Sequence, residues 1–260
     1  PLNFSAIGSL GVAGSLGISF NPTIAGRATE ITIGFSVPMG MKVGERCFLT
    51  LPGFTRNSTL YPMGSFSLLR TQASSNFKAS WKQSEVPEIE ILASTYLEGG
   101  QEIVIAEDNG IFLPMEGVSA SSEPMMFSCG TSLGLVPPTE VPFDKPIGRF
   151  LPGTSLHFMP ALAGKPAQIT FTFQFSEQAH VGDQFVWGLP GFVRRGSGRM
   201  KLSGRDFSLF EPARWNETTS EFIVTAKFGW KKLRAIAFSV NTLSETGPTG
   251  FVLPFYGILF

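Results

Sequence analysis

Charge is scarce in this sequence. Lys, Arg, Asp and Glu make up 15% of 260 residues, below the usual quarter, and the formal charges cancel at a pI near 7.3. A chain without net charge has little long-range field to draw it to nucleic acid or to an anionic membrane as its main partner. Histidine is rarer still: His157 and His180 are the two, and neither belongs to a Cys/His/carboxylate cluster with metal-ligand spacing. No metal and no cofactor is therefore expected. No apolar run reaches the roughly 18 residues a spanning helix needs, because the longest candidate, near Phe251, is broken by Pro254 and Gly257. Membrane insertion is not expected either. Long stretches with a 3.6-residue hydrophobic period are also missing, which argues against a helical fold. The sequence opens at Pro1, without Met and without a charged, apolar, cleavable leader, as a mature form or a truncated one would.

What is abundant points to strands and turns. There are 29 Gly, 19 Pro and 25 Phe against three Tyr, a mixture that supplies many corners and aromatic faces for sheets to bury. One corner is spelled twice. Leu51-Pro52-Gly53-Phe54 returns as Leu189-Pro190-Gly191-Phe192, 138 residues later. Proline presets φ at the second position of a type II turn, and glycine accepts the positive φ required at the third. The corner belongs to a longer repeat at the same offset. Phe20-Asn21-Pro22-Thr23-Ile24-Ala25-Gly26-Arg27 lies beside Phe158-Met159-Pro160-Ala161-Leu162-Ala163-Gly164-Lys165, and Val43-Gly44-Glu45 beside Val181-Gly182-Asp183. With small insertions, Phe66-Ser67-Leu68 matches Phe207-Ser208-Leu209, and Gly110-Ile111-Phe112-Leu113-Pro114 matches Gly250-Phe251-Val252-Leu253-Pro254.

The repeated unit reads as a ladder of half-buried strands. Ile31, Ile33, Phe35 and Val37 alternate with Thr32, Gly34 and Ser36, and Ile169, Phe171, Phe173 and Phe175 alternate with Thr170, Thr172 and Gln174. Strict period two is the pattern of a strand with one face in a core. Several such strands within about 110 residues predict an all-β chain of two tandem antiparallel β-sandwiches, Ig-like or jelly-roll-like, related by internal duplication. The expected organisation is a glycine-rich extension over 1–13, a first sandwich over 14–130, a stiff linker over 131–150 carrying Pro137, Pro138, Pro142 and Pro146, and a second sandwich over 151–260.

The copies differ at their ends. After Gly117 the first continues through Met125-Met126-Phe127-Ser128-Cys129, whereas the second reaches Phe260 three residues past the matching Gly257, and the expectation is that the second copy lacks a terminal strand. The extension 1–13 has no counterpart within the repeat, and it could serve as an extra strand for the open sheet edge of a neighbouring molecule. Both cysteines, Cys47 and Cys129, fall in or beside the first copy and are lost together from the second, which predicts a disulfide, with two reduced core thiols as the alternative. Three N-x-S/T sequons, at Asn3, Asn57 and Asn216, predict N-linked glycans, and with a disulfide they point to an extracellular or cell-surface compartment.

Charge is unevenly spread. Residues 14–118 hold seven Lys/Arg against ten Asp/Glu, and residues 152–260 hold eleven against seven. Arg194, Arg195, Arg199, Lys201 and Arg205 cluster after the second Leu-Pro-Gly-Phe, and are expected to contact the acidic copy of another subunit or an acidic glycan. No catalytic residues are expected. Gly130-Thr131-Ser132-Leu133-Gly134 has the letters of a nucleophile elbow but is followed by Val136-Pro137-Pro138 rather than a helix, and Glu107-Asp108-Asn109-Gly110 lacks the spaced acids of a calcium loop.

With its Leu-Pro-Gly-Phe corners and paired strand segments, the sequence resembles the repeated sandwich modules of large surface and appendage glycoproteins of algae and other protists, flagellar-hair-like or filament-forming. With the tandem sandwiches, the linker, the opposite charges of the halves and the extension, the expectation is a secreted structural glycoprotein that assembles head to tail with copies of itself, as a filament or surface coat, and not an enzyme, since no paired acids or metal cluster can be placed. The alternative is a carbohydrate-binding or adhesion module that would take an acidic polysaccharide on residues 194–205 and on whichever of Trp81, Trp187, Trp215 or Trp230 is exposed, although each of these reads first as a core residue.

Overall fold

A computed structural model describes residues 16–36, 40–57, 76–82, 84–97, 100–119, 122–132, 134–143, 145–194, 199–240, 243–244, 247–248 and 251–254. The extension 1–13 with Asn3, the segment Phe66-Ser67-Leu68 and Arg195 lie outside the described residues. The protein is all-β, and it divides into two units, Pro1–Gly148 and Arg149–Phe260.

The first unit contains β1 (Gly17–Asn21), β2 (Glu30–Ser36), β3 (Arg46–Thr50), β4 (Thr55–Arg56), β5 (Phe77–Lys82), β6 (Glu88–Ala93), β7 (Gly100–Ile105), β8 (Ile111–Phe112), β9 (Met126–Thr131) and β10 (Gly134–Glu140). One sheet has the order β1-β2-β7 and a second the order β10-β9-β3-β6-β5, with β4 paired to β8. Ile31, Ile33 and Phe35 of β2 and Cys47, Leu49, Ile89, Ile91 and Phe127 of the second sheet are fully buried in one cluster. The Phe35 ring, 5.0 Å from Phe127 and 5.8 Å from Phe77, spans the two layers. That is a β-sandwich, built because period-two strands can bury their apolar faces only against a second sheet.

The second unit contains β11 (Ser155–Met159), β12 (Pro166–Phe173), β13 (Gln184–Gly188), β14 (Val193–Arg194), β15 (Leu202–Ser203), β16 (Arg214–Asn216), β17 (Glu221–Thr225), β18 (Ile236–Val240), β19 (Leu243–Ser244), β20 (Gly247–Pro248) and β21 (Phe251–Val252). Its larger sheet runs β14-β21-β12-β18-β15, with β11 also on β12; the smaller runs β13-β17-β16. The core is aromatic. Phe171 stacks on Phe222 and on Phe238 with centroids 4.7 and 5.1 Å apart, and Trp187 lies 5.0 Å from Phe171. Strands that the 138-residue offset sets side by side take corresponding partners: β1 and β11 pair with β2 and β12, and β3 and β13 pair with β6 and β17.

Both Leu-Pro-Gly-Phe corners form the turn their residues predict. Phe54 N donates to Leu51 O and Phe192 N to Leu189 O, each at 3.2 Å, with Gly53 and Gly191 at φ 75° and 78°. Cys47 and Cys129 form a disulfide across β3 and β9, where they sit directly opposite each other. At Cys47's position the second unit has Phe185, buried against Trp230.

The linker expected over 131–150 is corrected by the structure. Residues 134–140 are β10, paired with β9, and Val136, Val141 and Ile147 are buried in the first unit's core. Val118 and Ile147 exchange backbone hydrogen bonds, so the chain stays on this unit as far as Gly148. Its prolines are tolerated because β10 is an edge strand and the ladder shifts register between Val136 and Thr139, where Pro137 and Pro138 have no N–H to contribute.

Candidate assembly surfaces

The first surface is the outer edge of β13. In the first unit the matching strand, β3, is interior: β6 lies on one side and β9 on the other, with Phe48 opposite Ser128 and Thr50 opposite Met126. In the second unit β13 pairs with β17 alone among the described residues. Leu189 N donates to Ser220 O and Ala226 N to Asp183 O, both at 2.8 Å, so the odd-numbered residues bond toward β17. By alternation Gln184, Val186 and Gly188 turn their N–H and C=O groups to the open side. Trp187, buried on this strand, has its indole Nε1–H without a hydrogen-bond acceptor among the described residues. The core behind the edge is closed from elsewhere. Phe150 stands 5.3 Å from Phe173 and 5.0 Å from Trp187, doing for Phe173 what Phe127 does for Phe35. The hydrophobic gap is filled while the strand edge has no partner among the described residues.

The second surface corrects the basic cluster. Arg194 lies on β14, near the β21 end of β12; burial lowers its guanidinium below the usual value, and Glu217 partly opposes this. Arg199 and Lys201 are exposed. Arg205 is at the opposite end of the same sheet, beside the start of β18, and it is engaged: its Nε is 2.8 Å from Asp206 Oδ2, and its Nη2 donates to Ala235 O at 2.7 Å. Arg234 Nη2 reaches Asp206 Oδ1 at 2.9 Å, and Ala237 N donates to Asp206 Oδ2 at 2.9 Å. Burial alone would raise the Asp206 carboxyl; the Ala237 N–H and then the arginines outweigh it and hold the group below its ordinary value. Arg194 and Arg205, close in sequence, are thus separated by the length of a strand.

A different cluster forms at the Arg205 end. Residues 227–235 are exposed except Trp230, and they carry Lys227, Lys231, Lys232 and Arg234 around Phe228 and Leu233. Backbone bonds from Ala179 to Trp230, from Lys227 to Leu209 and from Leu233 to Phe175 gather these loops at one tip. Val181 is 70%, Phe228 51% and Leu233 55% exposed there, and Leu233 has a left-handed φ of 63°. The signal was in the sequence, because 222–244 contains no acidic residue. The denser run after the second Leu-Pro-Gly-Phe drew the reading away from it.

The third surface is a groove in the first unit, of about 720 Å³, floored by Phe112, Pro114 and Met125, with Met115 76% exposed and Glu116 and Glu123 on its lining. Asn57, a sequon residue, also lines it. Asn216 ends β16, and its Oδ1 accepts from the N–H groups of Thr218 and Thr219 in the turn to β17.

Trp81, Trp187 and Trp230 are 5–8% exposed core aromatics, and Trp215 is half-buried edge-on to Phe251, so these four do not present the exposed aromatic faces that the carbohydrate-binding alternative needs. His157 is exposed on β11, and His180 lies 3.8 Å from Asp183 in a turn. Among the described residues no three His, Cys, Asp or Glu side chains gather as a metal site. Gly130 and Thr131 of β9 pair with Leu135 and Gly134 of β10, and Glu107-Asp108-Asn109 is a short 3₁₀ turn closed by Gly110. No helix among the described residues is long and apolar enough to cross a membrane.

No protein-family model matches the sequence, and no curated protein matches it. Among solved structures, the chain is similar to a serine-rich repeat adhesion glycoprotein of Streptococcus agalactiae over 87% of both chains, at 6% identity and a TM-score of 0.26, a level that carries no argument.

Proposed function

We propose that this is an extracellular structural glycoprotein, arisen by duplication of one sandwich, that assembles head to tail with copies of itself. The observation that carries the reading is the open edge of β13, unpaired among the described residues where the first unit seats β9. The proposed occupant is the 1–13 extension of another copy. In an extended chain its Leu2, Phe4, Ala6, Leu10 and Val12 would share one face and Asn3, Ser5, Ile7 and Ser9 the other, so one face is apolar and the other mixed. Main-chain bonds to Gln184, Val186 and Gly188 would supply the pairing. The disulfide supports an oxidising compartment. At Asn216 the turn holds Oδ1 and leaves Nδ2 as the group a glycan would modify.

The test is Val186→Pro, which removes one outward N–H from the edge without touching the buried face. Sedimentation velocity and negative-stain imaging should show wild-type oligomers or fibres, and monomers for both Val186→Pro and a chain lacking 1–13. Assembly of either variant at wild-type strength would sink strand donation. Mass spectrometry of protein secreted from a glycosylating host should place a hexosamine on Asn216.

A further inference from the structure

We infer that the basic, apolar tip of the second unit is the plug for the acid-rimmed groove in the first unit of another copy. The inference rests on the head-to-tail reading above and names the faces that meet. With the boundary at Gly148, the first unit holds eight Lys/Arg against thirteen Asp/Glu, or −5, and the second twelve against seven, or +5. Equal and opposite units attract between copies, and contacts between unlike faces propagate rather than close on a two-fold axis.

The local chemistry agrees with the global charge. At the tip, Phe228 and Leu233 stand about half exposed among Lys227, Lys231, Lys232 and Arg234. The nearby acids are largely spent: Asp206 is buried between two arginines, and Asp183 accepts from His180 N at 2.7 Å. Glu177 and Glu211, both half-buried, are the other acids on the loops that form the tip. Leu233 sharpens the case, because at φ 63° a glycine would sit without cost, whereas a branched side chain is held there at a penalty of about 1 kcal/mol. A turn that keeps an exposed leucine in that conformation presents an apolar knob. In the groove, Met115, Pro114, Phe112 and Met125 offer an adaptable apolar bed, and the charged residues on its lining, Glu116 and Glu123 against Arg56, leave it net acidic toward the lysines. Apolar knob into apolar groove provides affinity, and lysine against glutamate sets orientation.

The same lysines could instead read an anionic bilayer or an acidic polysaccharide, and the groove is what decides against these: neither has any use for a matching acid-rimmed socket on the other unit. Asn57 lines that socket, so a glycan there would occupy the space the tip needs.

The experiment uses the full chain from a host that does not N-glycosylate, so that Asn57 is bare. Three variants are compared by sedimentation velocity at low and high salt: Lys231→Glu with Lys232→Glu, Glu116→Lys with Glu123→Lys, and all four together. Each charge-reversed pair alone should weaken association by at least about tenfold. A mixture of the two reversed pairs should assemble as alternating oligomers, because the intact tip of one meets the intact groove of the other and the reversed tip meets the reversed groove at the next contact. The fourfold variant should recover oligomers. Leu233→Gly should raise thermal stability slightly while weakening association, a combination that a purely structural leucine would not produce. If the reversed pairs assemble like wild type, or their mixture stays monomeric, the plug-and-groove contact is wrong while head-to-tail assembly stands. If wild type forms no oligomer at any concentration, the assembly reading itself fails. If phosphatidylserine vesicles or dextran sulfate capture wild type but not Lys231→Glu with Lys232→Glu, and oligomers are unchanged, the tip serves an acidic surface and the inference is overturned.

Discussion

Reducing the Cys47–Cys129 disulfide should destabilise one unit and leave the other alone. The bridge closes a loop with a sequence separation of 82, for which the chain-entropy relation gives about 4.5 kcal/mol. For a unit of this size each kcal/mol moves the melting temperature by about 2–4 °C, so the loss amounts to about 9–18 °C. Reduction keeps both sulfurs in the core, so the change reports the cross-link rather than a cavity. Hydrogen exchange read by mass spectrometry along a urea series, with and without a phosphine reductant, separates the units through peptides covering 88–93 and 221–225. The first peptide should lose protection at markedly lower urea and the second should not move. Equal shifts in both, or a shift in the first worth less than about 1 kcal/mol, would refute the assignment of this stabilisation to the first unit's cross-link.

Three further outcomes follow from particular contacts. Asp206→Asn should cost about 1–2 kcal/mol at neutral pH, a modest sum because Arg205 and Arg234 are 63% and 47% exposed and screened. The folded carboxyl is held low, so its stabilisation is complete above the unfolded value of roughly 3.9 and is lost as pH falls through the folded value; melting curves of wild type and variant should converge as pH falls below that unfolded value. Gly117→Ala, whose Cβ would lie 2.0 Å from Ile147 O at φ 77°, should cost about 3–4 kcal/mol. Gly191→Ala, with 3.4 Å to Pro254, should cost only the left-handed backbone's roughly 1 kcal/mol, and denaturant melts would rank the two. Phe150→Ala should lose about 2–3 kcal/mol and increase acrylamide quenching of tryptophan, because its ring covers Trp187 at 5.0 Å.

Local chemistry was legible without coordinates. Period-two alternation needs no partner to be recognised, so β2 and β12 and their buried faces could be read directly. Leu-Pro-Gly-Phe specifies its own turn, because proline and glycine constrain φ whatever surrounds them. The joint loss of two cysteines pointed to their pairing. What fails from sequence is anything that depends on which strands become neighbours. Pro137 and Pro138 looked like a linker because nothing local says that β10 is an edge, where missing N–H groups are tolerated. Arg194 and Arg205 are eleven residues apart in the chain, but an intervening excursion through β15 leaves them at opposite ends of one sheet.

By itself, then, the sequence determined that this is an all-β protein with two spellings of one strand-and-corner pattern, since backbone propensity and hydrophobic period are local properties. Tertiary structure alone decided that residues 131–148 belong to the first unit, that β13 has an edge without a neighbour among the described residues, and that Lys227 to Arg234 form a tip. Those outcomes depend on long-range pairing and burial, which no short stretch of residues encodes.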